Sequence, residues 1–230
     1  MTAPPQIDEE IAERLRREIS QGAMLDADGR LPPERQLAER LSISRAHLRR
    51  VLDLLTADGT IFRRRGQGTF ALPPPATDAA RLKPLSRRIT PADVMEVRLG
   101  LEPMLAALAA TRASAQERGQ FARIAAATQT AQDQAAYHAA DDIFHYKIAQ
   151  MAQNALYLTM YEAIRSVRRE ASWTRQRAKT YSEDVFAFLA RQHQSLATAI
   201  IDGDAAGAET TMREHLQTVA TTLSQPPGTE

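Results

Sequence analysis

Hydrophobic side chains recur at helical spacing at the start of the chain. Ile7, Ile11, Leu15 and Ile19 stand four residues apart, and Gly22 follows them. One apolar residue per turn is typical of an amphipathic helix, and glycine commonly ends one. The pattern therefore predicts a first helix that ends before Gly22.

Two further helices are predicted in the next forty residues. Pro32 and Pro33 precede residues 34–41, and proline suits the first turn of a helix. Ser44 is a candidate N-cap for a third helix that runs to about Ala57, because its hydroxyl can accept from a free backbone amide. The apolar face expected for that helix is Leu48, Val51, Leu52 and Leu55.

A basic, glycine-containing segment follows the third helix. Residues 60–62 and 69–72 favour strands, and they flank Arg63-Arg64-Arg65-Gly66-Gln67-Gly68. Three helices followed by such a hairpin predict a winged helix-turn-helix. The predicted domain comprises residues 1–72, and the proline-containing segment 73–88 is interpreted as a linker.

The rest of the chain has helical patterns without a competing strand pattern. Ser114, Ser182 and Asp204 are candidate N-caps, and residues 202–204 form a candidate tight turn. We therefore expect a mainly α protein with an all-α bundle at residues 89–224 and a flexible tail at 225–230. The six predicted bundle helices are 90–112, 114–128, 131–152, 154–179, 182–202 and 204–224.

Composition narrows the class of protein. The 230 residues include no cysteine, which excludes disulfides and thiolate metal sites. No segment approaches the roughly 18–20 apolar residues of a membrane span, so we expect a cytoplasmic protein without a membrane partner. The net charge is only +1, but residues 30–66 carry nine arginines against four acidic residues. Such a local positive charge suits a phosphate backbone.

The arginines of the small domain are candidate DNA contacts. Arg45 and Arg49 are four residues apart on the third helix, so they project side by side and could contact guanine edges in the major groove. Arg35 and the run that includes Arg65 are expected to bind phosphates. The alternative is that these arginines only make a helical domain soluble.

Four residues of the bundle have the composition of a metal site. Asp141 and His145 are four residues apart on one predicted helix, and they point from the same face. His193 precedes Gly203 by ten residues and His215 follows it by twelve, so an antiparallel hairpin would place the two imidazoles side by side. Three imidazoles and a carboxylate suit zinc, nickel or iron(II). The alternative is that each histidine is a separate core or surface residue.

The segment that contains the predicted recognition helix resembles a known family. The run GRLPPERQLAERLSISRAHLRRVLDLLTADGTIFRRRGQGTF is similar to the DNA-binding domain of GntR-type bacterial regulators. The resemblance implies DNA contacts by Arg35, Arg45 and Arg49, with Gly66 and Gly68 allowing the wing to approach the minor groove. Pro33 stands where the family usually has serine. His47 replaces the usual threonine, which implies an altered base preference.

The bundle resembles the FCD effector domain of the FadR subfamily. The shared motifs are RLGLE at 98–102, DDIFH at 141–145, QN at 153–154 and the segment 191–216. The resemblance implies that Asp141, His145, His193 and His215 bind a divalent ion, with zinc or nickel most expected. It also implies that Arg98 meets a carboxylate effector. We expect Asn154 to add a hydrogen bond to that ligand, although an ordinary helix-end amide is an equally good interpretation.

These features predict a ligand-responsive transcription regulator. It would bind a pseudo-palindromic double-stranded DNA operator as a homodimer, act as a repressor and respond to a small organic acid. One alternative is a metal-dependent hydrolase or lyase fused to a DNA-binding module, and another is a metal that only stabilises the fold. The cluster Arg165, Arg168 and Arg169 is interpreted as a solvated face or a dimer contact.

Overall fold

The computed structural model of the protein describes residues 5–26, 29–64, 66–74, 84, 88–169 and 181–224. Internal contacts divide the chain into two compact units, residues 1–74 and 75–230. Most of the predicted linker, the predicted tail and the end of the predicted helix 154–179 lie outside the described residues.

The first unit contains three helices and a hairpin. Its elements are α1 (Pro5–Ser20), α2 (Glu34–Leu41), α3 (Arg45–Ala57), β1 (Phe62–Arg64) and β2 (Gly68–Phe70). Ser44 caps α3, since its side chain accepts from the backbone amide of His47 at 3.2 Å. This order of elements is the predicted winged helix-turn-helix.

The first helix buries a slightly different face from the predicted one. Ile7 is 40% exposed, whereas the neighbouring Asp8 is only 7% exposed. The Asp8 carboxylate faces α3, where it pairs with His47 and Arg50, and this ionic contact turns Ile7 outward. The apolar core of the unit includes Leu15, Ile19, Leu37, Leu48, Val51, Leu52, Leu55 and Ile61.

The two strands lie closer to the hairpin tip than predicted. Arg63 is opposite Thr69 and Arg64 is opposite Gly68 in the antiparallel register, so both arginines belong to a strand rather than to the connecting loop. Phe62 and Phe70 pair at the other end and are buried. The turn is consequently shorter than the segment 63–68 that the sequence indicates.

The second unit is helical throughout its described part. Its helices are α4 (Pro91–Arg112), α5 (Ala115–Gln129), α6 (Gln134–Met151), α7 (Ala155–Arg168), α8 (Glu183–Asp202) and α9 (Ala205–Ser224). Their bounds agree with the predicted ones to within about three residues, with one exception: α7 ends at Arg168, with Arg169 as its C-cap, whereas the predicted helix continues to residue 179. Ser114 and Ser182 cap α5 and α8, and Asp204 accepts from the amide of Gly207 in the first turn of α9.

Packing within this unit brings distant helices together. The last helix, α9, packs extensively on α4 and forms a hairpin with α8, while α6 contacts α4, α5 and α7. Gly203 links α8 to α9 with φ +77°, a left-handed conformation that glycine adopts without strain. In the part of the chain that the structure describes, no helix has the length and apolar character needed to span a bilayer.

Candidate metal centre and DNA-binding surface

Four potential ligands from three helices meet inside the second unit. Asp141 and His145 come from α6, His193 comes from α8 and His215 comes from α9. All four residues are buried, and one ligand atom from each lies within 4.8 Å of the others. The predicted hairpin places the Nε2 atoms of His193 and His215 3.3 Å apart.

The spacing of these atoms fits a small divalent cation. Asp141 Oδ1 lies 3.5 Å from His145 Nε2 and 3.6 Å from His193 Nε2. Ligands held about 2.0–2.1 Å from a tetrahedral zinc ion are ~3.3–3.4 Å from one another. Three imidazoles and one carboxylate are also a donor set that zinc and nickel accept. The residues present therefore fit a bound metal.

A buried ion-pair chain orients one of the imidazoles. The Nδ1 atom of His145 is 2.7 Å from Oε2 of Glu102, on α4. Arg98 lies one turn before Glu102 and donates to both of its carboxylate oxygens, from Nε at 2.5 Å and from Nη2 at 3.2 Å. A carboxylate behind a ligating histidine fixes its tautomer, so Nε2 is the atom available for a metal.

Two other ligands also have partners behind them. His215 Nδ1 is 3.2 Å from the Oε1 atom of Gln192, which precedes His193 on α8. Arg168 donates from Nη2 to Asp141 Oδ2 at 3.1 Å, leaving Oδ1 directed at the imidazoles. Three of the four candidate ligands are thus oriented by surrounding groups of the protein itself.

The electrostatics of the site favour metal-binding protonation states. Burial, followed by the nearby imidazoles of His193 and His145, holds the pKa of His215 well below its usual range, so this imidazole is neutral. Burial alone would raise the pKa of Glu102, but the charge of Arg98 and the hydrogen bonds from His145 and Arg98 outweigh it and leave the pKa well below its usual range. A neutral imidazole and an ionised supporting carboxylate are the forms that a divalent cation requires.

The two residues predicted to bind the effector occupy different environments. Arg98 is 1% exposed and lies beside the metal ligands, although its Nε and Nη2 atoms already contact Glu102. Asn154 is the N-cap of α7, where its side-chain oxygen accepts from the amides of Leu156 and Tyr157. The amide thus begins α7 rather than ending the preceding helix, and its contact with a ligand stays a prediction.

The interpretation of the α7 arginines as a solvated cluster is wrong for two of the three. Arg165 is 2% exposed and Arg168 is 6% exposed, whereas Arg169 is exposed. Arg165 contacts both oxygens of Asp142, and Arg168 contacts Asp141. The acidic side chains of α6 therefore draw these guanidinium groups into the interior.

Sequence reasoning missed several supporting residues. Glu102 follows Arg98 by four residues, a spacing that could have indicated their ion pair. Gln192 is adjacent to a predicted ligand. Tyr161 was not missed: the sequence leaves it open as pocket lining or ordinary core, and it is a fully buried phenol on α7. Burial and the Glu102 charge raise the pKa of Tyr161, so its hydroxyl remains protonated.

The predicted major-groove arginines are exposed on α3 of the first unit. Arg45 is exposed, and Arg49 contacts Glu34 Oε2 at 3.1 Å with 67% of its side chain accessible. Arg35, on α2, pairs with Glu39 at 3.2 Å, and both side chains are largely exposed. Solvent-exposed ion pairs of this kind are weak, so phosphates or base edges can compete for these guanidinium groups.

His47 and the wing complete the predicted DNA-binding set. The His47 Nε2 atom lies 2.6 Å from Asp8 Oδ1, with only 14% of the side chain accessible, so this residue faces α1. Gly66 and Gly68 are exposed and have φ +78° and +116°. A tight tip with positive φ favours glycine and keeps the backbone accessible. Arg65 lies outside the described residues.

Comparison with known proteins identifies both units. Residues 7–71 match the gntR family of bacterial regulatory proteins, and residues 93–218 match the FCD domain. The chain belongs to the GntR family. It is therefore a DNA-binding transcription regulator of the GntR type with an FCD domain, and the alternative of a metal-dependent hydrolase or lyase is wrong.

Similarity to individual regulators covers nearly the whole chain. This GntR-family protein is 33% identical to the putative L-lactate dehydrogenase operon regulatory protein of Escherichia coli K12, over 96% of this chain and 88% of that protein. It is 26% identical to the Uxu operon regulator of Haemophilus influenzae, with coverages of 93% and 80%. The solved structure of E. coli McbR/YncC shares the fold, with a TM-score of 0.50, 19% identity and coverages of 97% and 98%.

Proposed function

We propose that this GntR-family protein is a metal-dependent, ligand-responsive repressor. A small carboxylic acid would bind at a divalent ion in the FCD domain and change the affinity of the winged helix-turn-helix for its operator. The observation that carries the proposal is the buried set of one carboxylate and three imidazoles, whose ligand atoms lie within 4.8 Å of one another.

Asp141, His145, His193 and His215 would hold the ion, with zinc or nickel as the expected metal. When bound, such an ion supplies a Lewis acid that attracts a carboxylate oxygen. Glu102 keeps the ligand atom of His145 directed at the centre.

The effector class is supported by charge and by relatives. Arg98 places a buried guanidinium beside the ligands, and a guanidinium suits a carboxylate geometrically. The E. coli relative is named for an L-lactate dehydrogenase operon, and L-lactate is a small hydroxy acid. We infer that this regulator acts in the cytoplasm and controls genes for the metabolism of a small organic acid.

DNA recognition is proposed to use two copies of the chain. Arg45 and Arg49 of each copy would enter the major groove, while Arg35 and the wing would contact the backbone. A dyad-related pair would read half-sites about 34–36 Å apart, so we infer a homodimer on a pseudo-palindromic operator.

Operator binding with and without metal and acid tests the proposal. An operator is selected from a random duplex pool, and its affinity for the chelator-treated and zinc-loaded full chain is measured by fluorescence anisotropy across a panel of small acids. One acid should weaken binding by about 5–150-fold, the usual range of allosteric coupling. His193→Ala should abolish this response, whereas Ser195→Ala, on the exposed side of α8, should retain it.

Two results would contradict the proposal. If no acid changes the operator affinity, a small carboxylic acid is not the effector. Unfolding on chelation without any acid response would assign the metal to stability alone.

A further inference from the structure

A buried hydroxyl near the metal ligands lacks a partner among the described residues. Tyr161 is 0% exposed on α7, and its hydroxyl makes no hydrogen bond there. Tyr161 lies two turns before Arg168 on the same buried face of α7, and its side chain interacts electrostatically with Glu102, Arg168 and Arg98. A buried donor without an acceptor is costly, and in a native protein it commonly has a water or ligand partner.

The charges around this hydroxyl balance before a metal is added. Arg98 pairs with Glu102, and Arg168 pairs with Asp141, so the two positive and two negative charges cancel. All four side chains are buried.

The neighbouring buried charges leave the balance unchanged. Arg165 is compensated by Asp142. Lys147 and Glu162 are both buried and contribute one charge of each sign.

Among the residues that the structure describes, no buried side chain remains to compensate the two positive charges of a divalent ion bound by neutral imidazoles. Uncompensated charge in a protein interior is strongly unfavourable. An anionic ligand that binds together with the metal would supply the missing negative charge. A monocarboxylate supplies one negative charge, and a ligand with two anionic groups supplies both.

We propose that the effector is a dianion, whose first carboxylate meets the metal and whose second anionic group accepts a hydrogen bond from Tyr161, between Arg98 and Arg168. This inference rests on the proposed metal and acid site, and it names the class of acid. Tyr161 then determines specificity, because its hydroxyl is a donor that only a ligand with a distal acceptor can satisfy.

A matched pair of acids tests the charge requirement. Malate and 2-hydroxybutyrate share the hydroxy acid group and differ only in a terminal carboxylate or methyl group. Calorimetric titration of the zinc-loaded full chain should show malate binding about tenfold or more tightly than 2-hydroxybutyrate. The zinc content is measured after each titration to exclude removal of the metal by the acid.

Two tyrosine variants of α7 then test the residue. Tyr161→Phe should weaken malate binding about tenfold and leave 2-hydroxybutyrate binding unchanged, since only malate has the distal acceptor. Tyr157→Phe, at a half-buried position of the same helix, should change neither affinity. In the metal-free protein, Tyr161→Phe should retain wild-type stability, because its hydroxyl has no partner within the described chain to lose.

Four results would overturn the inference. The first is equal binding of the two acids, and the second is tighter binding of 2-hydroxybutyrate; either leaves the proposed acid response intact. The third is a Tyr161→Phe variant that loses stability without metal, which would assign the hydroxyl a structural partner. If neither acid binds, the inference fails, and operator release across the acid panel decides the broader proposal separately.

Discussion

Arginine serves opposite purposes in the two units of the chain. In the first unit, Arg35 and Arg49 pair with glutamates on the surface, with about two-thirds of each arginine side chain exposed. In the second, Arg98 and Arg168 are almost completely buried. Arg98 contacts Glu102, beside the candidate metal ligands, and Arg168 contacts Asp141, which is one of those ligands. The surface pairs are loose and exchangeable, whereas the buried pairs are fixed, because a lone charge in the interior is costly.

This contrast explains what each unit can do. Weak surface pairs let arginines exchange a glutamate for a phosphate or a guanine at little cost. Buried pairs hold the candidate ligand atoms in one arrangement and make the site sensitive to any added charge. One residue type therefore supplies adaptable contacts on α2 and α3 and rigid support on α4 and α7.

Replacing one arginine by methionine in each unit should separate the buried and the surface role most strongly. Arg168→Met leaves the buried Asp141 carboxylate without its cation, so we expect the metal-free protein to lose about 3–5 kcal/mol of unfolding free energy. Urea unfolding followed by circular dichroism measures the loss. Adding Asp141→Asn should recover part of it. A variant as stable as the wild type would show that the buried pair is not a support.

Arg49→Met is the matched change at the surface. We expect operator affinity to fall by about 1–3 kcal/mol, because a major-groove contact is lost, with the unfolding midpoint unchanged. Fluorescence anisotropy and thermal unfolding give the two values. Arg14→Ala, an exposed arginine of α1 that pairs with Glu18, is the control and should affect neither. An unchanged operator affinity would indicate that Arg49 does not contact DNA and only makes the domain soluble.

Glu102→Gln should weaken metal binding without removing a ligand. The amide lacks the charge that orients and polarises His145, so zinc affinity should fall about 10–100-fold. Competition with a chromogenic chelator measures it. Glu96→Gln, at an exposed position of the same helix, should retain wild-type affinity. If both variants bind zinc with equal affinity, Glu102 does not support the metal site.

Asp8→Asn should have the smallest effect and should be visible mainly in acid. Hydrogen bonding from Arg50 outweighs burial and lowers the pKa of Asp8 in the folded state. Its stabilising contribution is therefore present above the unfolded pKa of about 3.9 and is lost as pH falls through the folded pKa.

Removing this carboxylate should flatten the acid side of the stability profile by at most about 1 kcal/mol, because Arg50 is partly exposed. Urea unfolding between pH 3 and pH 6 checks the difference. Identical profiles for the variant and the wild type would indicate that this ion pair contributes nothing.

Local patterns allowed most of the fold to be predicted. Most helix bounds from α2 to α9 follow caps and periodicity that a sequence carries directly, as Ser44, Ser114 and Ser182 illustrate, but the end of α7 at Arg168 was not predicted. The proximity of His193 and His215 was also predictable, since their spacing about Gly203 makes the two imidazoles neighbours once the hairpin forms. Metal binding by the four residues stays a prediction. The strand bounds were less accurate, because pairing register depends on the partner strand.

Tertiary contacts account for what the sequence did not reveal. His47 faces Asp8, which lies thirty-nine positions earlier, and no local pattern indicates that contact. The burial of Arg165 and Arg168 likewise depends on carboxylates of α6. Charged residues on a helix usually face solvent, so their interior position required knowledge of the facing helix.

The hairpin at Gly203 limits which insertions and deletions α8 and α9 can accept. His193 and His215 are placed by counting along two helical arms, and losing one residue from either arm would rotate its imidazole by about 100°. Paired additions of seven residues, close to two helical turns, would keep the rings facing each other. Insertions and deletions are therefore constrained here by phase, whatever the identity of the added side chains.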